Sequence, residues 1–271
     1  MALASKPEAE DCDTRWTNRI LRARELREVH PANAAALRFY EAVLQFQFDI
    51  ARLSTSPANA GVPLRDQIDL AFVSSRIPAL FSLCVKFGPT ALGMEASKLQ
   101  EAGKAKWREL FESAISVNDR LESVTNDFFT RACLQPVAES LQAQLQSAID
   151  SIQSTCPACG GLPQTAVLRP EGEGASRWLQ CSFCLCEWPF RRLACPWCRE
   201  EDREKLPRYS AEECSYVHVE ACETCKRYLK AVDLTVDGRA LPLVDEAALA
   251  VLDAWAVESG YTKIIQNILG F

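Results

Sequence analysis

The chain has 271 residues, of which 48% are hydrophobic, so it is long enough and apolar enough to bury the core of one large domain or two modest ones. A formal net charge of -6 at pH 7 excludes the general basic excess that nucleic-acid binding usually needs. The first thirteen residues are rich in charge, and no run approaches the roughly 18 apolar residues of a membrane span. We therefore expect a cytoplasmic protein with no secretory signal peptide and no stable membrane insertion.

Residues 1–153 predict an all-helical bundle, with its central helix after Pro31 and Asn33. The segment 54–63, with two prolines and a glycine, ends that helix. Two adjoining apolar stripes at helical spacing place the helix at the centre of the bundle. The stripes are Phe39, Val43, Phe46, Ile50 and Leu53, and Leu37, Tyr40, Leu44 and Phe48.

Further helical patterns follow at 64–87, interrupted at Pro78, at 90–115 and at 118–149, where Pro136 either starts a new helix or kinks one. Near the end of the chain, 244–258 predicts a helix that stops before Gly260. Its apolar face consists of Ala248, Val251, Leu252 and Trp255. We expect the tail residues Ile264, Ile265, Ile268, Leu269 and Phe271 to be packed rather than free.

Ten of the thirteen cysteines lie between Cys156 and Cys225, and eight of these form four Cys-x-x-Cys pairs. Thiols stay reduced in the cytosol, so this density indicates metal ligation or redox chemistry rather than disulfides. Two such turns supply a tetrahedral shell of four thiolates. The pairs are Cys156/Cys159, Cys181/Cys184, Cys195/Cys198 and Cys222/Cys225, separated by 21, 10 and 23 residues.

The pairs also form a tandem repeat, with offsets of 39 residues between the first and third pairs and 41 between the second and fourth. Strand-like segments flank the second pair of each copy, at 177–180 and 187–190 and at 216–219 and 228–232. This pattern is typical of rubredoxin-like or zinc-ribbon hairpins. We predict two such units, 154–193 and 194–243, followed by a C-terminal helix and tail, 244–271, and hence an α+β fold.

The simplest assignment joins neighbouring pairs, so that Cys156, Cys159, Cys181 and Cys184 form one site and Cys195, Cys198, Cys222 and Cys225 the other. Spacing alone leaves an interleaved pairing open. Either way we expect two metal ions per chain, Fe or Zn, since both accept four thiolates. Each unit of about 30 residues is too small for an adequate core of its own, so metal should contribute much of its folding free energy.

The sequence supports two other uses of the cysteines less well than metal ligation. A thioredoxin-like dithiol needs one pair at the start of a helix in a βαβ context, which the sequence does not show. Nucleic-acid binding is disfavoured because 154–232 holds eleven basic and eleven acidic residues, and each divalent ion with four thiolates adds a net charge of -2. A metal module of this charge suits a protein partner better than a phosphate backbone.

The remaining cysteines and the histidines suggest no catalytic device. Cys84 and Cys133 fit small core positions, while Cys186 and Cys214 are candidates for exposed thiols near the metals. His218 could replace a thiolate, although four cysteines per site leave no vacancy. With only two histidines and no glycine-rich phosphate loop, we expect no enzyme.

Several of these segments together resemble the FdhE family of formate dehydrogenase accessory proteins. The resemblance lies in CPACGGLP, RWLQCSFCLCEW, CPWC, ACETCKRYLKAVD and DEAALAVLDAWAVESGY, with HPANAAALRFYEAVLQFQ matching more loosely. It implies a cytosolic helper with a helical N-terminal domain and two rubredoxin-like units. It also implies that the helper binds the catalytic subunit of a formate dehydrogenase before export, without catalysis of its own.

Two alternatives come from other functional classes. One is a redox protein in which bound iron, or Cys186 and Cys214, carries electrons. The other is a zinc-ribbon scaffold with a different client. Self-association stays open for all three.

Overall fold

The computed structural model describes residues 11–54, 56–116, 128–145 and 152–270. The chain divides into two compact units, Asp11–Gln146 and Ser147–Phe271. The first is helical, and the second holds a sheet with two tetracysteine groups, which confirms the predicted fold class. The finer domain borders at 153/154, 193/194 and 243/244 stay predictions.

Five α-helices lie in the described part of the helical unit. A short 3-10 turn, Pro31–Asn33, leads into the second helix, and another, Leu64–Gln67, precedes the third. The helices are α1 (Cys12–Val29), α2 (Ala34–Leu53), α3 (Leu70–Phe87), α4 (Thr90–Ser116) and α5 (Phe128–Gln144).

Helix α2 packs against α1, α3 and α5, in keeping with its two apolar stripes. Seven of the nine predicted stripe residues are buried. The prediction is wrong for Leu53, which lies at the last position of the helix and is 52% exposed. Phe48 is only half-buried. The stripes therefore predict the packed face well until the helix ends.

Helix α1 has no comparable stripe because two arginines share its buried face with Trp16, Ile20 and Leu26. Arg19 is buried by a bidentate ion pair with Glu139 of α5, at 2.8 and 2.7 Å. A charge that is paired across two helices can occupy a core position that hydrophobicity alone would assign to an apolar residue.

In the other helices, the interruptions do not lie where the sequence pattern predicts them. Pro78 lies inside α3 and Pro136 inside α5, whereas the break in α4 is at Gly103, where φ is 79°. A positive φ suits glycine because it has no Cβ, so the predicted helix 90–115 is interrupted there. The ends of the predicted helix 118–149 lie outside the described residues.

Among the described residues, α3 alone is long and apolar enough to cross a membrane by length and composition. The same property is common in core helices of soluble proteins. One face of α3, with Val73, Ile77, Leu80 and Phe81, is buried within the helical unit.

The second unit is built on one sheet with the strand order β3-β2-β1-β6-β5-β4, and β7 pairs with β6. The strands are antiparallel, except that β1 pairs with β6 and β6 with β7 in parallel. The β1–β6 pairing joins the two cysteine-bearing hairpins into one sheet. The strands are β1 (Pro163–Glu171), β2 (Gly174–Cys181), β3 (Glu187–Phe190), β4 (Arg208–Ser210), β5 (Val217–Ala221), β6 (Arg227–Asp233) and β7 (Thr262–Lys263).

The predicted C-terminal helix is two helices, α6 (Pro242–Ala248) and α7 (Ala250–Glu258), with a break at Leu249. Ala248 and Leu252 of the predicted apolar face are buried, but the prediction is wrong for Val251 and Trp255, which are 59% and 37% exposed. Asp253 and Ala256 are buried in their place. Of the apolar tail, Ile264, Ile265 and Ile268 are buried, Leu269 is half-buried, and Phe271 lies outside the described residues.

Candidate metal centres

All four Cys-x-x-Cys turns have the same backbone geometry. In each turn the N–H of the first cysteine donates to the carbonyl oxygen five residues later, at 2.7 to 2.9 Å. The bonds run from Cys156 to Gly161, Cys181 to Cys186, Cys195 to Glu200 and Cys222 to Arg227. The shared geometry supports the predicted tandem repeat at the level of individual hydrogen bonds.

The residue after the second cysteine of every turn has a positive φ. Gly160 takes this conformation at 75° without steric cost, but Leu185, Arg199 and Lys226 take it at 55°, 64° and 55°. They are the non-glycine residues with positive φ in the described part of the chain. Strain of this kind persists where the surrounding structure requires it, here in the turns that aim the thiols.

Site one consists of Cys156, Cys159, Cys181 and Cys184. The first pair precedes β1, and the second forms the tip of the β2–β3 hairpin. The Sγ–Sγ distance is 3.6 Å between Cys156 and Cys184 and 3.5 Å between Cys159 and Cys181. Three of the four cysteines are buried, and Cys159 is half-buried, so this site is largely closed to solvent.

Site two consists of Cys195, Cys198, Cys222 and Cys225. Its first pair follows β3, and its second forms the tip of the β5–β6 hairpin. The Sγ–Sγ distance is 3.7 Å between Cys195 and Cys225 and 3.6 Å between Cys198 and Cys222. Cys198 is exposed and Cys225 half-buried, so site two is the more accessible of the two.

The donor sets fit a tetrahedral metal ion. A metal–sulfur bond of about 2.3 Å places the sulfurs of a tetrahedron about 3.8 Å apart, close to the separations above. A disulfide would need about 2.05 Å, and all thirteen cysteines are free thiols. The structure thus brings together neighbouring pairs, as in the simplest assignment, and not interleaved ones. That these cysteines bind metal stays a prediction.

Contacts around site one hold its sulfurs closely. The Phe183 N–H donates to Cys181 Sγ at 3.3 Å. A Cβ at Gly161 would lie 2.9 Å from Cys181 Sγ and 3.3 Å from Cys159 Sγ. Only glycine leaves room for the sulfurs there, a requirement that the Gly-Gly dipeptide after Cys159 could have indicated.

The thiol pKa values shift in different directions among the paired cysteines. Burial raises the pKa of Cys184 well above its ordinary value and that of Cys195 to about 11. At Cys198 burial also raises the pKa, but the Glu200 N–H and the Cys222 thiol lower it further, for a net decrease. Metal must therefore displace protons from the buried thiols, while Cys198 ionises more readily.

The other cysteines and His218 lie outside both groups. Cys84 and Cys133 are buried in the helical unit, as predicted. The suggestion of exposed thiols is wrong for Cys186 and Cys214, which are 1% and 4% exposed. Cys214 packs in an apolar cluster, and the Cys186 carbonyl is held in its turn. His218 is buried on β5, with Nε2 3.5 Å from Glu220 Oε1.

Family models match the sheet-containing unit in two parts. The central domain of FdhE matches residues 155–192, and the C-terminal domain of FdhE matches residues 193–269. The first match contains all of site one, and the second contains all of site two.

Individual relatives agree with this match. A protein FdhE homolog of Aquifex aeolicus is 24% identical over 265 residues, covering 91% of this chain and 92% of the relative. Protein FdhE of Escherichia coli is 26% identical over 268 residues, covering 92% and 85%. A protein FdhE homolog of Pseudomonas aeruginosa is 36% identical over 124 residues, covering 43% and 40%.

The fold has a counterpart among solved structures. The crystal structure of the FdhE protein from Pseudomonas aeruginosa superposes with a TM-score of 0.68, at 24% identity over 96% of each chain. It shows that the helical unit and the sheet unit occur together in another protein of this kind. Both FdhE domains match around the two tetracysteine groups, and relatives such as the Aquifex aeolicus protein match over nearly the whole chain, so the chain is similar to FdhE proteins in both of its units.

Proposed function

We propose that this protein is a cytosolic accessory factor that binds the catalytic subunit of a formate dehydrogenase and is needed for its assembly or activation before export. The match to both FdhE domains carries the proposal, since the FdhE resemblance supplies the client. We further propose that the chain binds one Fe or Zn ion in each tetracysteine group and catalyses no reaction itself.

The metal part of the proposal rests on the sulfur geometry of the two sites. Four ligand atoms in each group lie within 4.8 Å of one another, which four-coordinate zinc or iron requires. Zinc would supply a closed structural link, whereas iron would add one-electron redox chemistry.

Elemental analysis of protein purified without added metal tests the metal proposal. We expect two equivalents of zinc plus iron per chain, because eight thiolates fill two shells. Cys159→Ser and Cys198→Ser should each lower the content by about one equivalent. Cys12→Ser is the matched control, because Cys12 lies in the helical unit outside both groups. One equivalent in the folded wild type would refute the two-site assignment.

Client contact is expected on the sheet unit, near the hairpins that bear the metals. Two aromatic residues of these hairpins, Trp188 and Tyr228, are excluded from such contact, because they are 0% and 1% exposed. Trp178 and Trp197 are half-buried and present part of their rings. Trp197 lies between Cys195 and Cys198, so a client bound there would contact the turn that carries site two.

A deletion strain tests the accessory role. Formate dehydrogenase activity and the amount of its catalytic subunit should both fall in the deletion and recover with the wild-type gene. Cys12→Ser should restore activity fully, and Cys198→Ser should restore little. Normal activity in the deletion would refute the accessory role, whereas full rescue by Cys198→Ser would exclude site two from the mechanism.

The client contact is measured separately. The purified catalytic subunit should be retained by the immobilised wild-type protein and released reversibly, as expected of a transient helper interface. A deletion phenotype without any detectable binding would place the protein's action on another component.

A further inference from the structure

A cavity of about 490 Å³ lies beside site two, within the sheet unit. Its walls come from the segment after β3, the 3-10 helix Arg203–Lys205, and the facing ends of β5 and β6. Cys195 and Cys222 form part of the lining. A volume of this size is typical of pockets for small organic ligands.

The lining is strongly basic although the chain as a whole is acidic. It contains five arginines and a single carboxylate, that of Glu220. Even with a net charge of -2 for a metal ion held by four thiolates, an excess of about two positive charges remains. The arginines are Arg177, Arg192, Arg203, Arg208 and Arg227.

Two of the five arginines are engaged with the carboxylate. Arg177 reaches from β2 to Glu220 on β5 at 2.6 Å and donates to the carbonyls of Arg191 and Ala194 at 3.0 and 3.2 Å. Arg208, opposite Glu220 in the β4–β5 register, binds its other oxygen at 3.1 Å. The buried Arg177–Glu220 ion pair forms one wall of the cavity. Together with Arg208 it neutralises the one carboxylate of the lining.

The other three guanidinium groups stand available to an anion. Arg203 is exposed and forms no ion pair among the described residues. Arg227 lies over the ring of Trp197, with Cζ 3.8 Å from the ring centroid, and forms no ion pair among the described residues. Arg192 is exposed, and its Nη1 donates to the Ala175 carbonyl.

We propose that this cavity binds a small organic phosphate, with the phosphate group held by Arg203 and Arg227 and the organic body against the apolar lining. A phosphate carries about -1.5 to -2 charges at pH 7 and so neutralises the excess, which one carboxylate would not. Arginine binds phosphate through two parallel N–H bonds. Leu206, Ile264 and Pro207 supply the apolar side of the cavity. This site is independent of any formate dehydrogenase client.

Calorimetric titration of the metal-loaded full chain at low salt tests the proposal. The probes are phenyl phosphate, inorganic phosphate and benzoate. Phenyl phosphate should bind about tenfold more tightly than benzoate, because of its charge, and about fivefold more tightly than inorganic phosphate, because of its ring. Raising the salt concentration should weaken binding of both phosphates.

Variants assign the site. Arg203→Gln and Arg227→Gln should each weaken phenyl phosphate binding about tenfold, the usual loss for a charge-assisted hydrogen bond. Arg239→Gln is the matched control, since Arg239 is 79% exposed on its side chain and lies outside the lining. Metal content is measured for each variant. If Arg227→Gln loses metal, Arg192→Gln takes its place.

Three results would overturn the proposal. The first is no measurable binding of phenyl phosphate by the metal-loaded wild type. The second is equal binding by Arg203→Gln, Arg239→Gln and wild type, which would place the anion elsewhere. The third is tighter binding of a hexaglutamate peptide or a single-stranded oligonucleotide than of phenyl phosphate in the same cavity, which would assign it to a macromolecular partner.

Discussion

A buried ionic cluster holds the C-terminal helices to the sheet. Lys230 on β6 lies 3.2 Å from Glu246 on α6 and also pairs with Asp253 on α7. Lys263 on β7 pairs with both carboxylates and lies 2.8 Å from Asp253. None of the four side chains is more than 5% exposed, so the two lysines and two carboxylates pair with one another rather than with solvent.

Replacing Lys230 with methionine removes one charge and leaves a volume that methionine can largely fill. One lysine then faces two buried carboxylates. Leaving a buried charge without its partner costs about 3–5 kcal/mol. The carbonyl of Leu249, which accepts from Lys230 Nζ at 3.2 Å, also loses its donor. We expect Lys230→Met to lower the free energy of unfolding of the sheet unit by about 3–5 kcal/mol.

Urea unfolding at a fixed free zinc concentration measures this loss, because bound metal itself contributes to stability. Arg239→Gln removes an exposed ion pair of 3.3 Å and should cost less than about 1 kcal/mol. The double variant Lys230→Met/Glu246→Gln restores neutrality and should recover part of the loss. A loss below about 1 kcal/mol for Lys230→Met would refute the reasoning that the cluster is dry and charged.

Three further substitutions test the sites and the helical unit. Gly161→Ala should lower the metal content of site one only, by elemental analysis, since its Cβ would crowd the sulfurs. Arg199→Gly should stabilise the sheet unit towards urea by about 1 kcal/mol by relieving a positive φ. Burial raises the pKa of Glu139, but the charge of Arg19 lowers it by more, so this pKa is lower in the folded than in the unfolded protein. The stability that Glu139 contributes is therefore complete above its unfolded pKa and is lost as the pH falls through its folded pKa. Glu139→Gln should therefore lower the melting temperature of the helical unit at pH 7 and progressively less towards pH 3.

The structure brings together neighbouring cysteine pairs, as in the simplest assignment, although spacing alone left an interleaved pairing open. A turn of two intervening residues is local geometry, and a short hairpin returns the chain to the same end. Cys181 and Cys184 sit at the tip of β2–β3, and Cys222 and Cys225 at the tip of β5–β6, where strand-like flanks placed them. Interactions between near neighbours in sequence are the ones that pattern reasoning captures.

Features set by distant contacts were missed. The break at Leu249 interrupts an otherwise good helical pattern because its carbonyl is bonded by Lys230, nineteen residues earlier. Asp253 reads as a surface residue of that helix, yet two lysines from the sheet bury it. Strand β1 was also overlooked, since Pro163 and Pro170 suggest turns, although one begins the strand and the other lies near the hairpin end.

The shared sheet gives the two cysteine-bearing repeats a source of stability other than metal. Each repeat alone is too small for a core, and we had expected metal to compensate for that. The parallel pairing of 165–168 with 230–233 instead places both repeats in one sheet, which also carries the ionic cluster and the C-terminal helices. With metal bound as proposed, stability would therefore be shared between metal and core.

Because the repeats share one sheet, the two cysteine sites can differ in their exposure to solvent. Site one is closed, with Gly161 pressed against its sulfurs, which suits a structural role. Site two has an exposed cysteine and a basic cavity on its flank, and the strained turn residue beside Cys198 is solvent-facing. A client or ligand can reach the second centre without disturbing the first. Any exchange of metal, electrons or partner should therefore begin at site two.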